Sequence, residues 1–120
     1  MIVAGFGFRT GASDESIRDA FARAATDHTP QVLATASDKI DGLRAFAKAM
    51  NLPVVPVTEC NLIGQTTLTQ SEAVTALRKT GSVAEAAALA AAGTGAQLVA
   101  PRHISQDRMA TCAIAIGAQT

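Results

Sequence analysis

Three short stretches of the chain carry side chains suited to binding an anionic ligand. Gly5 and Gly7 precede Arg9 at the end of the first apolar run, where an arginine can present a planar fork of donors to a carboxylate or phosphate. Lys39 closes the second stretch, and Arg102 follows a later apolar run. We therefore expect an anion-binding surface that uses these three cations, with the two glycines beside them.

The start of a late helix adds a fourth part to this surface. Ser82 stands three residues before Glu85, the spacing of a capping box, in which each side chain accepts the other residue's backbone N–H. Gly81 lets a ligand approach the backbone closely. The first turn of such a helix has unpaired N–H groups and a partial positive charge, which favour an anion. Helix capping alone also explains both side chains, so both interpretations stay open at this point.

The second stretch, residues 35–39, contains polar side chains ahead of its lysine. Thr35 and Asp38 are candidate ligand residues, but backbone capping is the more common role of such residues. Ser37 and Asp38 are also predicted to cap the helix that follows. We keep Thr35 and Asp38 as candidates because several such stretches are expected to share one edge of the fold.

Catalytic groups are harder to assemble from this sequence. Ser82 and Glu85 are the best polar candidates for acid–base chemistry, and His103 could act as a base, but nothing places a nucleophile or an orienting acid beside it. No set of metal ligands can be assembled. The first glycine stretch does not complete a dinucleotide fingerprint, because Thr10 replaces its third glycine. We therefore predict no metal and no cofactor, and the catalytic residues remain unknown.

Length, charge and cysteine content exclude several classes of protein. The chain has 120 residues, enough for one domain with its own core, and we predict a single domain over residues 1–120. Its ten acidic and ten basic residues balance, so nothing favours nucleic acid or an anionic membrane as a partner. No apolar run approaches membrane-spanning length. Cys60 and Cys112 have no Cys or His cluster around them, which fits a cytoplasmic protein, and Cys112 is expected to lie in the core.

The elements that must position these residues alternate between strands and helices. Five apolar runs are predicted strands: residues 1–8, 31–36, 54–57, 97–100 and 111–116. One helix is predicted to begin after Ser13, a good N-cap, and a second after Ser37 and Asp38. Two further helices are predicted from Thr69 and Ser82, the last ending at Gly93.

This order of elements predicts the fold class. Strand–helix alternation implies right-handed βαβ units and a parallel sheet. The third strand is predicted to be brief and to lie near the sheet edge or at a strand end, because its segment contains Pro53 and Pro56. The polar turn at residues 105–108 predicts a closing hairpin, which makes the sheet mixed. We therefore predict a single three-layer α/β/α domain with a mixed, mostly parallel sheet of about five strands that ends in a β-hairpin. Ligands of such sheets bind at the carboxyl ends of the parallel strands, where Arg9 and Lys39 should lie.

Four stretches occur in an order that resembles a known family: residues 5–11, 34–39, 80–89 and 98–102. Together they are similar to the CobE/CbiG C-terminal domain family of cobalamin (vitamin B12) biosynthesis, over essentially the whole chain. The resemblance implies an α/β domain with a role in corrin-ring construction. One position departs from the family pattern, because a lysine is common where this chain has Arg102, so only the positive charge is retained.

The resemblance implies two functions of different classes. Because the chain starts directly before its first strand, we expect a stand-alone CobE-like form of the aerobic pathway, which binds or channels a precorrin or corrin tetrapyrrole. Other enzymes of the pathway are then expected partners. A similar domain occurs in the cobalt-precorrin-5A hydrolase of the anaerobic pathway, which opens a ring-A lactone and releases acetaldehyde, so a small hydrolase is the alternative. An unrelated phosphate- or nucleotide-binding module is a third hypothesis, and a homo-oligomer stays open.

The chemistry of such a ligand suits the three cations and the helix start. Precorrins are macrocycles that bear several acetate and propionate carboxylates. Arg9, Lys39 and Arg102, together with the N–H groups at a helix start, suit these carboxylates without making the whole protein basic.

Overall fold

The computed structural model describes residues 1–9, 11–26, 28–58, 83–93 and 95–117. The predictions for Cys60, the helix from Thr69, Gly81 and Ser82 lie outside these residues. Within the described ranges the chain forms a sheet with helices on both faces. No helix in these ranges is long and apolar enough to cross a membrane.

The sheet has six described strands, and three described α-helices lie against it. The strands are β1 (Ile2–Phe8), β2 (Val32–Ala36), β3 (Val54–Val57), β4 (Gln97–Leu98), β5 (His103–Ile104) and β6 (Ala110–Ile116). The helices are α1 (Asp14–Ala24), α2 (Ile40–Met50) and α3 (Val83–Ala92).

The strand order is β3-β2-β1-β6-β4, and β5 also pairs with β6. β1 is parallel to β2 and β2 to β3, whereas β6 is antiparallel to β1, β4 and β5. Among the described strands β6 therefore runs against the other five. This confirms the predicted mixed, mostly parallel sheet, with six described strands where about five were predicted. Among these six strands β3 lies at an edge, as expected.

The predicted closing hairpin is present, but its first strand is interrupted. Gln97 and Leu98 form β4, and pairing with β6 resumes only at His103, the start of β5. Pro101 lies in the gap, where it has no N–H to donate to a ladder. The predicted polar turn follows β5, and there the N–H of Arg108 donates to Ser105 O at 2.9 Å.

The ends of the helices follow the predicted capping signals in two of three cases. Ser13 is the N-cap of α1, and its hydroxyl accepts the N–H of Ser16 at 3.2 Å. α3 ends before Gly93, whose φ of +96° is a left-handed conformation that favours glycine. The cap predicted for α2 is wrong. A 3₁₀ turn, Ser37–Lys39, lies between β2 and α2, so Lys39 takes the N-cap position in place of Ser37 or Asp38.

Alternating residues of the central strands build two different faces. The aromatic face carries Phe6, which packs against Phe21 and Phe46 with ring centres 6.2 and 5.7 Å away. Cys112 lies on this face and is buried, as predicted, and burial raises the pKa of its thiol, so the group stays neutral. The small-residue face lies under α3 and carries Gly5 among its residues.

Glycine in β1 brings α3 unusually close to the sheet. A Cβ built on Gly5 would lie 2.5 Å from Ala88 N, and it would approach Ala84 O even more closely. Gly7 lies under the start of the helix, since a Cβ there would be 3.4 Å from the Cβ of Val83. Because α3 rests directly on β1, its first turn is fixed at the carboxyl end of that strand.

Candidate functional site

The carboxyl ends of β1 and β2 lie at one edge of the sheet, which we call the carboxyl edge. Phe6 pairs with Thr35 in parallel register, so Arg9 and Lys39 follow neighbouring strands at the same edge. The first turn of α3 meets this edge at Gly7. We define the carboxyl edge by Gly7, Arg9, Asp38, Lys39 and the first turn of α3, and we include Arg102 because its backbone N–H is bound to Glu85 in that turn.

The two cations that follow β1 and β2 are held by different contacts. Arg9 is exposed, but its backbone is fixed, because its N–H donates to Met109 O in the β5–β6 turn at 2.9 Å. Lys39 is half-buried, and its Nζ lies 5.8 Å from the centre of the Phe8 ring, a cation–π contact. Both side chains therefore start from well-defined positions at the carboxyl edge.

Glu85 joins α3 to the segment before β5. Its side chain is fully buried, and Oε2 accepts the backbone N–H of Arg102 at 2.8 Å. The capping box predicted a partner at Ser82, which lies outside the described residues, whereas the partner at Arg102 is 17 residues away and no local spacing signals it. A carboxylate with no exposed surface does not touch an external ligand in this conformation. This corrects the prediction that Glu85 is a direct ligand contact or an accessible catalytic group.

Arg102 combines a fixed backbone with an unused donor. Its side chain is half-buried, and its Nε is enclosed without a hydrogen-bond partner among the residues described. Buried donors of this kind are nearly always paired in proteins, so the unpaired Nε sets Arg102 apart from the other cations, and its residue still keeps some exposed surface. His103 Nδ1 is also unpartnered, but His103 pairs with Cys112 and so belongs to the aromatic face.

Two predicted ligand residues lie in the core. Gly5 is covered by α3, so no ligand reaches its backbone. Thr35 is fully buried and its hydroxyl donates to Phe6 O at 3.0 Å, which satisfies the group inside the sheet. The structure therefore assigns both residues to packing. Gly7 and Asp38, in contrast, retain exposed surface at the carboxyl edge.

A carboxylate cluster that we did not predict secures the β5–β6 turn. Asp107 accepts hydrogen bonds from the hydroxyl of Ser105 at 2.6 Å and from the hydroxyl of Ser16 on α1. These bonds, the one with Ser105 foremost, hold the pKa of Asp107 below its usual range. Asp19 on α1 accepts the N–H of Gln106 at 2.7 Å, and chiefly for that reason the pKa of Asp19 is also lowered.

The partners in this cluster are far apart in the chain. Ser16 and Asp107 are separated by 91 residues, so the sequence indicated only the polar turn itself. The cluster anchors the turn that follows β5 and thereby the hairpin next to Arg102.

A groove of about 500 Å³ lies at the opposite edge of the sheet. Its lining residues are His28, Gly95, Gln97, Leu98, Val99, Ile116 and Gly117. It belongs to the amino end of β1, because Gln97 pairs with Ile116 and Ile116 pairs with Ile2. None of the predicted cations lines it. In the described ranges no group of three or more His, Cys, Asp or Glu side chains could hold a metal ion.

Comparisons with known proteins agree on one family. The family model described as the cobalamin synthesis G C-terminus matches residues 2–115. The chain is similar to the crystal structure of CobE, a protein from the cobalamin (vitamin B12) biosynthetic pathway, with a TM-score of 0.84 and 30% identity over 96% of this chain and 89% of that one. It is also similar to the cobalamin biosynthesis protein chiG from Agrobacterium tumefaciens str. C58, with a TM-score of 0.74 and 36% identity over 99% of this chain and 100% of that one.

A search of curated proteins gave no match. The family model covers nearly the whole chain, and the fold and the sequence identity to two solved structures support the same assignment. The chain is therefore a cobalamin biosynthesis protein and belongs to the CobE/CbiG C-terminal family.

Proposed function

We propose that the protein binds a precorrin- or corrin-type tetrapyrrole of the aerobic pathway and holds it or passes it to other enzymes of cobalamin biosynthesis. The observation that supports this most directly is that Arg9 and Lys39 follow neighbouring parallel strands and that Arg102 is bound to the first turn of α3, in a chain whose family acts in cobalamin synthesis. A tetrapyrrole carries its carboxylates around a macrocycle, so it can contact cations that lie on different elements of the fold.

Each part of the carboxyl edge has a place in this binding. Arg9 is exposed and can present its guanidinium to a carboxylate with two parallel hydrogen bonds. Lys39 supplies a compact charge beside the Phe8 ring, and Arg102 supplies a half-buried guanidinium whose Nε has no partner among the described residues. The first turn of α3 adds backbone N–H groups and the positive end of the helix dipole.

We favour binding over hydrolysis because of the state of Glu85. A general acid or base must reach the reacting group through a hydrogen bond or one water molecule. Glu85 is the strongest described candidate, but it is enclosed and already accepts the N–H of Arg102. Hydrolysis of a precorrin lactone therefore has less support from the described residues than binding.

A spectroscopic titration tests the proposed function. Amino-acid side chains do not absorb visible light, so the visible bands of a corrinoid can be followed directly in the presence of the protein. We expect hydrogenobyrinic acid to show a saturable shift of its visible bands when the protein is added. The fully esterified ligand is the matched control, since it keeps the ring but has no charged groups, and it should bind far more weakly.

Three results would contradict the proposal. An unchanged spectrum would exclude binding of this ligand class, and equal affinity for the ester would exclude recognition through carboxylates. A separate incubation of the isolated chain with a precorrin lactone tests catalysis, because a hydrolase would open the lactone and release acetaldehyde, which chromatography of the products would detect.

A further inference from the structure

The contact between Glu85 and Arg102 joins two elements that the sheet does not connect directly. Glu85 is in the first turn of α3, whereas Arg102 lies between β4 and β5. The bond runs from a backbone N–H to a carboxylate oxygen over 2.8 Å. Hydrogen bonds to carboxylates are stronger than bonds between neutral groups, so this contact can fix the position of the Arg102 backbone.

Among the described residues, two hydrogen bonds hold the ends of the segment around Arg102. Residues 99–102 form no strand, and Pro101 has no N–H. Val99 donates to Ile114 O at 2.9 Å at one end of this segment, and the bond from Arg102 to Glu85 secures the other end. Without an acceptor at Glu85, the buried N–H of Arg102 would lose its partner and the segment could shift.

The other end of Arg102 carries the unused donor. Its Nε is enclosed but makes no hydrogen bond to any described residue, although such a group usually has a partner. The residue is only half-buried, so a movement of the guanidinium on its fixed backbone would bring Nε to a carboxylate oxygen of a bound ligand. The position of the guanidinium depends on the backbone of Arg102. Glu85 fixes that backbone by accepting its N–H.

We propose that Glu85 is a positioning residue, which fixes Arg102 through its backbone N–H so that the guanidinium can donate to a carboxylate of the ligand. This proposal rests on the proposed function, since it assigns one ligand carboxylate to Arg102. It replaces a direct or catalytic role of Glu85 with an indirect one.

Binding measurements on single and double variants test this role. Hydrogenobyrinic acid is titrated into the wild type, Glu85→Ala, Arg102→Ala and the double variant. We expect each single change to weaken binding about tenfold, the effect of losing one hydrogen bond to a charged group. The double variant should bind no more weakly than the weaker single variant, because the two residues act through one contact.

Two further variants separate positioning from other effects. Glu85→Gln keeps an acceptor oxygen, so this variant should bind hydrogenobyrinic acid within about threefold of the wild-type affinity. If Glu85 acted through its charge, the same variant would lose that effect. Arg9→Ala combined with Glu85→Ala is the matched control, because Arg9 does not contact Glu85, and these two losses should add. Additive losses for Glu85 and Arg102 would overturn the proposal.

Amide hydrogen exchange tests the contact without a ligand. In the wild type the N–H of Arg102 should exchange slowly, and this protection should persist in Glu85→Gln and disappear in Glu85→Ala. Exchange as fast as that of an exposed amide in the wild type would overturn the proposal even if Glu85→Ala fails to fold.

The ligand-bound wild type supplies the last test. The Nε–H resonance of Arg102 should shift when hydrogenobyrinic acid binds, and binding without such a shift would also overturn the proposal. If the wild type binds no corrinoid at all, the proposed function fails, and a protected Arg102 amide would then show that Glu85 holds the backbone for some other purpose.

Discussion

Arg9, Lys39 and Arg102 differ in how much of each side chain can meet a ligand. Arg9 is exposed, whereas Lys39 and Arg102 are half-buried and have part of their surface covered by the fold. The backbone of Arg9 is nevertheless fixed by its bond to Met109 O. Because its side chain is exposed, Arg9 should make the most accessible contact with a ligand carboxylate. Its backbone is already fixed, so binding costs little further backbone entropy.

Replacing this arginine tests where the ligand lies. We expect Arg9→Ala to weaken the binding of hydrogenobyrinic acid about tenfold or more, because a charge-assisted hydrogen bond is lost. Visible titration measures the affinity. Lys48→Ala is the matched control, since Lys48 is exposed and lies in the last turn of α2, away from the carboxyl edge. Equal affinity of Arg9→Ala and the wild type would show that the ligand does not bind at the carboxyl edge.

At the level of elements, the contact of α3 with β1 determines where the helix start lies. α3 covers the small-residue face, and its alanines meet glycines of β1 where larger side chains would hold the helix away. Close packing of this kind tolerates no added volume, because protein interiors have few voids to absorb it. The position of Glu85 relative to Arg102 therefore depends on Gly5, a buried residue that no ligand contacts.

Two alanine variants of β1 should differ in stability. Gly5→Ala places a Cβ against the backbone of α3, so we expect a loss of about 3 kcal/mol or more in the free energy of unfolding. Gly7→Ala is the matched variant on the same face, and its Cβ would meet Thr111 Oγ1 at 3.0 Å, a contact that a side chain can relieve. Its loss should be clearly smaller. Urea unfolding measures both values, and equal losses would contradict this account of the helix contact.

At the level of the whole molecule, two contacts between distant residues join α1 to the turn between β5 and β6. Ser16 and Asp19 on α1 hold the turn between β5 and β6 through Asp107 and the N–H of Gln106. These contacts join the first third of the chain to its last fifth. They stabilise the hairpin beside which Arg102 lies, so the carboxyl edge depends on the folding of the entire described sheet.

The contacts of Asp107 and Asp19 should make the stability of the protein sensitive to acid. The pKa values of Asp107 and Asp19 are lowered in the folded state, so the unfolded chain takes up protons first as the pH falls. Their contribution is complete above the unfolded value of about 4 and is lost as the pH drops through the lower folded values. Asp107→Asn should therefore be less stable than the wild type near neutral pH, and the difference should shrink in acid. Urea unfolding at several pH values measures it, and a constant difference would contradict the prediction.

Local sequence signals predicted most of the fold. Ser13, Gly93 and the apolar runs gave the helix ends and strands, because caps, left-handed glycines and hydrophobic periodicity act within a few residues. Proline has no N–H to donate to a sheet ladder, so Pro56 favoured an edge position for β3. The cap of α2 was wrong because a 3₁₀ turn and a cap use the same residue types, so Ser37 and Asp38 indicate both.

The candidate site could be predicted only in part from the sequence. The cations were recognisable because a charged residue directly after an apolar run lies at a strand end. The core positions of Gly5 and Thr35 were not recognisable, since whether a small or polar residue is covered depends on which helix crosses it. Contacts between Glu85 and Arg102, or between Ser16 and Asp107, leave no local pattern at all.

The sequence by itself determined the family, the kind of fold and the charges available to a ligand. These properties depend on residue type, order and short spacing, which the chain carries before it folds. The tertiary structure decided which of the polar residues are accessible and what each one holds. It enclosed the carboxylate of Glu85 and directed it to the backbone of Arg102, because α3 rests on the glycines of β1 and brings its first turn against the segment before β5.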